Sequence, residues 1–325
     1  MAARGIHTIP VPTPFAVGRV NCYLIEDDPL TLVDTGPNSG TALVALEAGL
    51  AEHGRRIEDL QRIVLTHQHI DHIGLAQILA DRSGAEVCAL DRLVPWLAGY
   101  SARMDGDDGF AERLMLRHGI PRDIAIALRA VTQQVRAWGA SVRVTQPLVP
   151  GETLPFAGRT WSIHHRPGHS PSDTLFHDEA GGELLAGDHL IKHISSNPLI
   201  SRPLDGNESG ERPRALIAYL ESLRATQAMD LRVVFPGHGE PVEGHRELIE
   251  ERLRMHERRA AKIAGMLADG PKTGFEIAQT MWGNVAVTQA YLALSEVLGH
   301  VDLLLDRGEA VEVAGDDGVV RFAVP

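Results

Sequence analysis

Four side chains able to bind a metal ion, His67, His69, Asp71 and His72, fall within six residues of this chain, and that crowding limits its folding more than any other feature. The stretch runs Leu65-Thr66-His67-Gln68-His69-Ile70-Asp71-His72. The run Arg62-Ile63-Val64-Leu65 before it reads as a buried strand, and Gly74 after it opens a helical pattern carried by Leu75, Ile78 and Leu79. On a loop between strand and helix, His67 and His69 alternate and can grip one ion. Asp71 and His72 project past the turn and can grip a second. Imidazole suits zinc and similar ions, and a carboxylate brings neutralising charge. The chain has 16 histidines, but this spacing behind a hydrophobic strand is not that of a polar loop with histidines scattered in it.

The pattern His67-x-His69-x-Asp71-His72 resembles the signature of the metallo-β-lactamase-fold hydrolases. That resemblance implies three further ligands, a His, an Asp and a His, each ending a strand. His169 in Arg166-Pro167-Gly168-His169, Asp188 in Leu185-Ala186-Gly187-Asp188 and His238 in Phe235-Pro236-Gly237-His238 fill those places in order. The likeness extends over residues from about 15 to about 245. It implies that His67, His69 and His169 hold one ion and Asp71, His72 and His238 the other. Asp188 would bridge them, one oxygen to each, at a separation of about 3.5–4 Å. Two divalent ions are expected, zinc by default, with manganese or iron compatible with the same donors. A water between them is acidified toward a pKa of about 7. It would attack a carbonyl or phosphoryl centre while Asp71, the expected catalytic residue, orients it and relays its proton. Asp34, in Asp34-Thr35-Gly36, and Thr66 are expected to hold the ligand loop in shape through hydrogen bonds; Asp-x-Gly also suits a plain turn.

The fold so implied is α/β, a four-layer αββα metallo-β-lactamase sandwich with a helical insertion and a C-terminal winged-helix-like module. Residues 1–245 form the expected catalytic domain, with the insertion at about 91–145, and residues 246–325 the C-terminal unit. Within the insertion, residues 93–100, 110–118 and 122–138 read as helices joined by Gly/Asp/Pro turns. Two readings of their apolar residues stand side by side. Trp96, Tyr100, Met104, Phe110 and Met115 line a substrate pocket, or the stripe packs on the core. The loop leaving Asp188 offers Lys192, His193 and Asn197 as substrate contacts, or as ordinary solvated polarity. Residues 199–213 read as a mobile connection, and His164 and His165 as structural. Downstream, residues 246–268 read as a long helix with Glu and Arg at i,i+4, followed by a short helix capped by Thr273. A third helix over 287–305 and a hairpin over 308–324 complete the unit. This resembles a winged helix, as in the branch of the family named after lactamase-like protein 2. Its stretch His300-Val-Asp-Leu-Leu-Leu-Asp306 offers almost no cation to meet phosphate, so packing or dimerisation is the expected role.

A formal net charge of -12 gives no basic footprint, which disfavours nucleic acid and anionic membrane, although a local patch can hide in an acidic total. Cys22 and Cys88, both in apparent strands, indicate no disulfide framework. No apolar run approaches about 18 residues and the first residues show no signal-peptide core, so the expected location is the cytoplasm. A small-molecule substrate is expected, and a homodimer is compatible with the sequence. In the resembling family a Glu at the place of His69 accompanies di-iron redox proteins, and true β-lactamases carry Cys or Ser at the place of Asp188. The present residues therefore favour hydrolysis of a small acyl ester, thioester or lactone. The alternatives are an endoribonuclease or phosphodiesterase of the lactamase-like protein 2 type and, in another class, an iron-dependent persulfide dioxygenase. Leu75 departs from the small pair common after the motif, without loss of a ligand.

Overall fold

The structure, a computed structural model, describes residues 5–208 and 211–325. The expectation of a mobile 199–213 connection falls partly on Ser209 and Gly210, and that for the chain start on residues 1–4; these lie outside the described residues. Among the described residues one sheet runs in the order β1 (Ile6–Val11), β2 (Val20–Ile25), β3 (Thr31–Val33), β4 (Arg62–Val64), β5 (Glu86–Leu90), β6 (Gln146–Leu148). Its first three strands are antiparallel and β3 to β6 are parallel. The second sheet is built from β7 (Thr153–Pro155), β8 (Thr160–His165), β9 (Thr174–Asp178), β10 (Glu183–Gly187) and β11 (Val233–Pro236), in the order β11-β10-β9-β8-β7.

Both faces of the inner strands β2 to β5 are buried almost throughout, which is why they read as largely apolar runs. Tyr23, Ile25, Val33, Val64 and Cys88 point into the space between the sheets, where they meet Trp161, Ile163, Phe176, Leu185 and Phe235 of the second. Their neighbours Cys22, Leu24, Leu32, Ile63 and Val87 point outward. They pack against α1 (Gly40–Glu52), with α2 (Ile70–Ile73), α3 (Ala76–Ser83) and α4 (Val94–Ala98) following in that layer. Cys22 and Cys88 thus lie on opposite faces of one sheet, both free. On the far side of the second sheet, Leu175, Leu184 and Val234 pack against helices downstream of it. The result is the four-layer αββα sandwich.

The insertion departs from expectation. Helix α5 (Tyr100–Arg117) runs unbroken through Asp105-Gly106-Asp107-Asp108-Gly109, which reads as a turn, and α6 (Arg122–Val135) follows. The acidic residues are occupied by distant partners: Trp96 Nε1–H donates to Asp107 at 3.1 Å, and Arg136 pairs with both Asp105 and Asp108. Tertiary contacts override the weak helix propensity of Gly and Asp here. Gly74 is required by close approach, because a Cβ there would run into the Asn38 amide, the Trp138 carbonyl and the Pro37 backbone.

After α7 (Ala215–Gln227) come α8 (His245–Leu267), α9 (Gly274–Trp282), α10 (Val285–Thr288) and α11 (Ala290–Asp306). A three-stranded sheet of β12 (Lys272–Thr273), β13 (Val311–Ala314) and β14 (Val320–Ala323) closes the chain. Thr273 caps α9 as expected, in a reciprocal pair with Glu276. The insertion and this unit share one core: Leu114, Met115, Ile120 and Ala125 pack with Ile263, Leu267, Phe275, Leu294, Val301 and Phe322. Helix α11 is buried on both sides, giving Leu303 to the layer against the second sheet and Val301 and Leu304 to the core shared with the insertion.

His118 sits at that junction, its ring stacked on Phe322 with centroids 5.7 Å apart. Both ring nitrogens are buried without a hydrogen-bond partner among the described residues. Burial, helped by the Arg212 and Arg117 cations, pushes its pKa down from 6.5 to about 3. The folded protein therefore keeps His118 neutral while the unfolded chain protonates it. As pH falls from 6.5 toward 3, stability falls by about 1.4 kcal/mol per pH unit from this group. A His118→Phe variant is expected to show a shallower loss of stability between roughly pH 6 and pH 4. Denaturant melts across that range check it; parallel curves for variant and wild type would exclude His118 as the titrating group.

Candidate metal centre

Beyond β4 the alternation of side chains continues, so His67 and His69 face one way and Gln68 the other. The Gln68 amide N–H donates to Ser172 Oγ at 3.1 Å, and Ser172 returns its proton to the Gln68 side chain. Asp71 and His72, expected on a loop, stand on the short helix α2. The His69 carbonyl closes it by accepting from His72 N–H at 2.9 Å and Ile73 N–H at 3.2 Å. His169 follows β8, Asp188 immediately follows β10, and His238 follows β11. The start of β2 grips the last loop: Asn21 Nδ2 donates to the Pro236 and Gly239 carbonyls at 3.0 and 2.8 Å, and Tyr23 OH to Pro236 at 2.6 Å. Gly237 must be glycine here, because a Cβ would strike Asp188 Oδ1 and come within 2.8 Å of His72 Cε1.

The fold brings all seven predicted ligands together. Ligating atoms of His67, His69, His169 and Asp188 lie within 4.8 Å of one another, as do those of Asp71, His72 and His238. Asp188 stands between the two groups, with Oδ2 3.5 Å from both His169 Nε2 and His238 Nε2, and Oδ1 3.5 Å from His72 Nε2. His238 Nε2 is 3.4 Å from Asp71 Oδ2, and His69 Nδ1 is 3.0 Å from His169 Nε2. Ligands about 2.0–2.1 Å from a tetrahedral ion stand about 3.3 Å from each other, so these separations fit such an ion.

The hydrogen bonds around the imidazoles make the same point. Asp34 accepts from Thr66 N–H at 2.9 Å, from Thr66 Oγ1–H at 2.8 Å and from His72 Nδ1–H at 2.7 Å. With its proton given to Asp34, the Thr66 hydroxyl accepts from His67 Nδ1–H at 3.0 Å. His238 Nδ1–H donates to the Arg19 carbonyl at 2.8 Å, and His169 Nδ1–H to the Asn197 carbonyl at 3.1 Å. Each Nε2 is thereby the nitrogen left to face an ion. Those of His67, His72 and His238, together with Asp188 Oδ1, are buried with no hydrogen-bond partner among the described residues. Buried polar atoms in this state are costly unless a cation, either a metal ion or a proton, satisfies them. Asp34 takes a left-handed φ of +58°, an unfavourable conformation for an L-residue. Its side-chain bonds and its amide bond to the Val64 carbonyl at 2.8 Å hold it there.

Electrostatics divide the site. Burial, with His72 and His69 alongside, pushes His67 well below the usual histidine range, and burial beside His169 takes His69 down to about 3. Burial alone would lower His238 too, but Asp188 and Asp71 outweigh it and lift that residue to about 9. For His72, Asp188, Asp34 and Asp71 likewise outweigh burial and raise it well above its ordinary value. For Asp188, burial acts upward, but His238 and His72 outweigh it and hold the carboxyl well below its usual range. Without ions, protons on His72 and His238 neutralise the carboxylates. Ions must displace them, so metal uptake releases protons and weakens as pH falls. The donor set suits divalent metal ions.

Residues 16–238 match the family model described as Metallo-beta-lactamase superfamily, and residues 260–325 match the one described as Metallo-beta-lactamase-like, C-terminal domain. The chain belongs to the metallo-beta-lactamase superfamily. Within this superfamily it is 34% identical over 322 residues to the Probable metallo-hydrolase YqjP of Bacillus subtilis (strain 168), covering 99% of this chain and 98% of that one. It is 22% identical over 266 residues to the Atrochrysone carboxyl ACP thioesterase of Aspergillus fumigatus, covering 78% and 65%. The crystal structure of a metallo-beta-lactamase family protein from Thermus thermophilus superposes with a TM-score of 0.81 at 28% identity over 100% of both chains. A Beta-lactamase domain protein from Burkholderia ambifaria gives 0.79 at 27%, over 99% of this chain and 93% of that one.

The expected substrate contacts fare differently. Trp96 and Tyr100 are core residues, 4% and 6% exposed, so the pocket-lining reading is corrected in favour of packing. The Tyr100 hydroxyl donates to the Arg136 carbonyl at 2.8 Å. Met115 is buried in the core shared with the C-terminal unit, with Phe110 packed against it, and Met104 packs on the first sheet's outer core. Lys192 and His193 are exposed, and the His193 ring abuts Gly239, next to ligand His238. Asn197 acts through its carbonyl on His169, while its side chain donates to the Leu292 carbonyl at 3.1 Å. Sequence reasoning missed the Arg19 and Asn197 carbonyls, whose roles belong to the backbone and have no signature in residue type. His165, read as structural, donates to the Pro171 carbonyl at 2.9 Å. In a further buried group, His256, Glu296 and His300, most polar atoms bond within the group or to Arg259, and His256 Nε2 has no partner among the described residues. His300 Nδ1–H donates to the Glu296 carbonyl at 2.6 Å, its Nε2 accepts from His256 Nδ1–H at 3.1 Å, and Arg259 takes the Glu296 carboxylate.

Replacing Asp34 by Ala removes the acceptor for both His72 and Thr66. The variant is expected to bind metal roughly 10- to 100-fold more weakly, measured by competition with a chromophoric chelator. Unchanged affinity would show that the ligands keep their orientation without it.

Proposed function

We propose that this metal-dependent hydrolase works through two divalent ions, zinc by default, and cleaves a small acyl ester, thioester or lactone. The observation that carries the two-ion reading is the place of Asp188, within 3.5 Å of ligating nitrogens from both groups. His67, His69 and His169 would hold one ion and Asp71, His72 and His238 the other, with Asp188 shared. When bound, the ions supply an acidified water as nucleophile and a Lewis acid for the substrate oxygen.

The chain's own residues supply the rest. Asp71 lies in the group with His72 and His238, and its carboxyl is held below the usual range: burial works the other way, but His72 and His238 prevail. It stays ionised at neutral pH and can orient a nucleophile and accept its proton. Asp34 and Thr66 fix the tautomers of His72 and His67 before substrate arrives, so little reorganisation is required at the moment of reaction. Thioesters are the first substrate class to test, since the likeness to the fungal ACP thioesterase covers most of this chain. Burial of α11 on both faces argues against its use as a nucleic-acid recognition helix, and the acidic total charge agrees.

Thiol release from a panel of acyl-CoA and acyl-glutathione substrates tests this. Wild type is expected to turn over, to stop on chelation and to recover with zinc. Asp188→Ala should lose roughly tenfold or more. Turnover untouched by chelation and by Asp188→Ala would refute the two-ion mechanism. No thiol release by zinc-replete protein would remove thioesters and bring lactones, then single-stranded RNA, to the front. Oxygen consumption with bound iron would instead support a persulfide dioxygenase.

A further inference from the structure

We propose that the C-terminal unit is part of the metal centre, with Arg252 and Tyr291 as positioning residues for His169. The proposal rests on the metal-site reading above. The segment from His189 to Ile200 forms no helix or strand, so its backbone groups need partners from elsewhere. Many of those partners lie after residue 245. The buried Arg252 of α8 points Nη2 at three carbonyls, 2.9 Å from Lys192, 3.2 Å from Ile194 and 3.5 Å from Ile191. The Tyr291 hydroxyl donates to the Ile200 carbonyl, and the Ile200 amide donates to Ser295 Oγ at 3.4 Å. The Asn197 side chain is tied to the Leu292 carbonyl.

What this segment presents at its other side is the metal centre. Ser196 Oγ donates to the Asp188 carbonyl, the Asn197 carbonyl accepts from His169 Nδ1, and the Leu199 amide donates to the His169 carbonyl at 3.4 Å. The other oriented histidines are held from the N-terminal half: His67 by Thr66, His72 by Asp34 and His238 by the Arg19 carbonyl. Support is therefore asymmetric. Loosening Arg252 or Tyr291 frees the Asn197 carbonyl, and with it His169, while Asp71, His72 and His238 keep their partners. The C-terminal unit sets the affinity of the position held by His67, His69 and His169, and reaches the other only through the Ser196 bond to the shared Asp188.

The test uses full-length apo-protein titrated with Zn(II) against a chromophoric chelator, for wild type, Tyr291→Phe, Arg252→Met and Arg252→Lys. One stepwise affinity is expected to fall roughly 10- to 100-fold in Tyr291→Phe and Arg252→Met, with the other falling far less. Arg252→Lys, which keeps a cation for the same carbonyls, should recover much of the loss. Imidazole ¹⁵N spectra should show the His169 Nδ1–H signal shifted in the weakened variants and the His72 signal in place. Equal weakening of both steps, or none in any variant, overturns the proposal. Should Arg252→Met fail to fold, Tyr291→Phe, which removes a single oxygen, decides alone. If wild type takes up one ion only, the two-ion reading fails by itself. The proposal then stands or falls on whether that single affinity drops and the His169 signal moves.

Discussion

Five imidazoles and two carboxylates can share so small a volume because most of the imidazole nitrogens not facing the ions already have a partner. Asp34 is the pivot of that arrangement. One carboxylate accepts from His72 directly and reaches His67 through the Thr66 hydroxyl, so one residue fixes the tautomer of a ligand in each group. It does so from a left-handed backbone conformation at the end of β3. The amide bond to the Val64 carbonyl ties this corner to the strand that launches the ligand motif. Oriented ring nitrogens and an unpartnered carboxylate oxygen follow from that geometry, and they are what a divalent ion completes.

The gathering of the seven candidate ligands was legible in the sequence because their chemistry is local. The run from His67 to His72 needs only a strand before it and a helical turn after it. The two Pro-Gly-His sequences mark places where a chain must come close to something else; for Gly237 that something is Asp188 and His72. The sandwich followed from the same logic, since strands apolar at successive positions must be covered on both faces. The insertion was harder to read. Asp105 to Gly109 has the composition of a turn, and its helix is explained by Arg136 and Trp96, which no local pattern links to it. Trp96 and Tyr100 misled for a related reason: an aromatic residue beside a site looks the same in sequence whether it faces substrate or core. The Arg19 and Asn197 carbonyls have no side-chain signature at all.

Sharing of one core by the insertion and the C-terminal unit changes what each can be. Leu114, Met115 and Ile120 are apolar because Phe275, Leu294 and Val301 lie opposite them. A solvent-facing cap would leave those residues unexplained. The same burial argues against α11 as a recognition helix, since a helix that presents side chains to a groove needs a free cationic face, and α11 has apolar neighbours on two. The role we propose for the unit is mechanical. It braces an irregular segment that a two-sheet sandwich cannot brace through its own ladders.

That bracing divides the site. The group of Asp71, His72 and His238 is held by strands and turns of the sandwich, through Asp34 and the Arg19 carbonyl at the start of β2. Strand ladders form these supports, and they persist as long as the sheets do. His169 instead takes its orientation from a segment without regular structure, whose own hydrogen bonds end on Arg252, Tyr291, Leu292 and Ser295. An irregular segment opens locally at lower cost than a sheet, so motion of the C-terminal unit reaches one group of ligands before the other. Under the two-ion proposal, a hydrolytic centre built this way has one position fixed by the fold and one fixed by contact between two parts of the chain. Changes on the surface of α8 or α11 can therefore tune the second position without any substitution among the ligands.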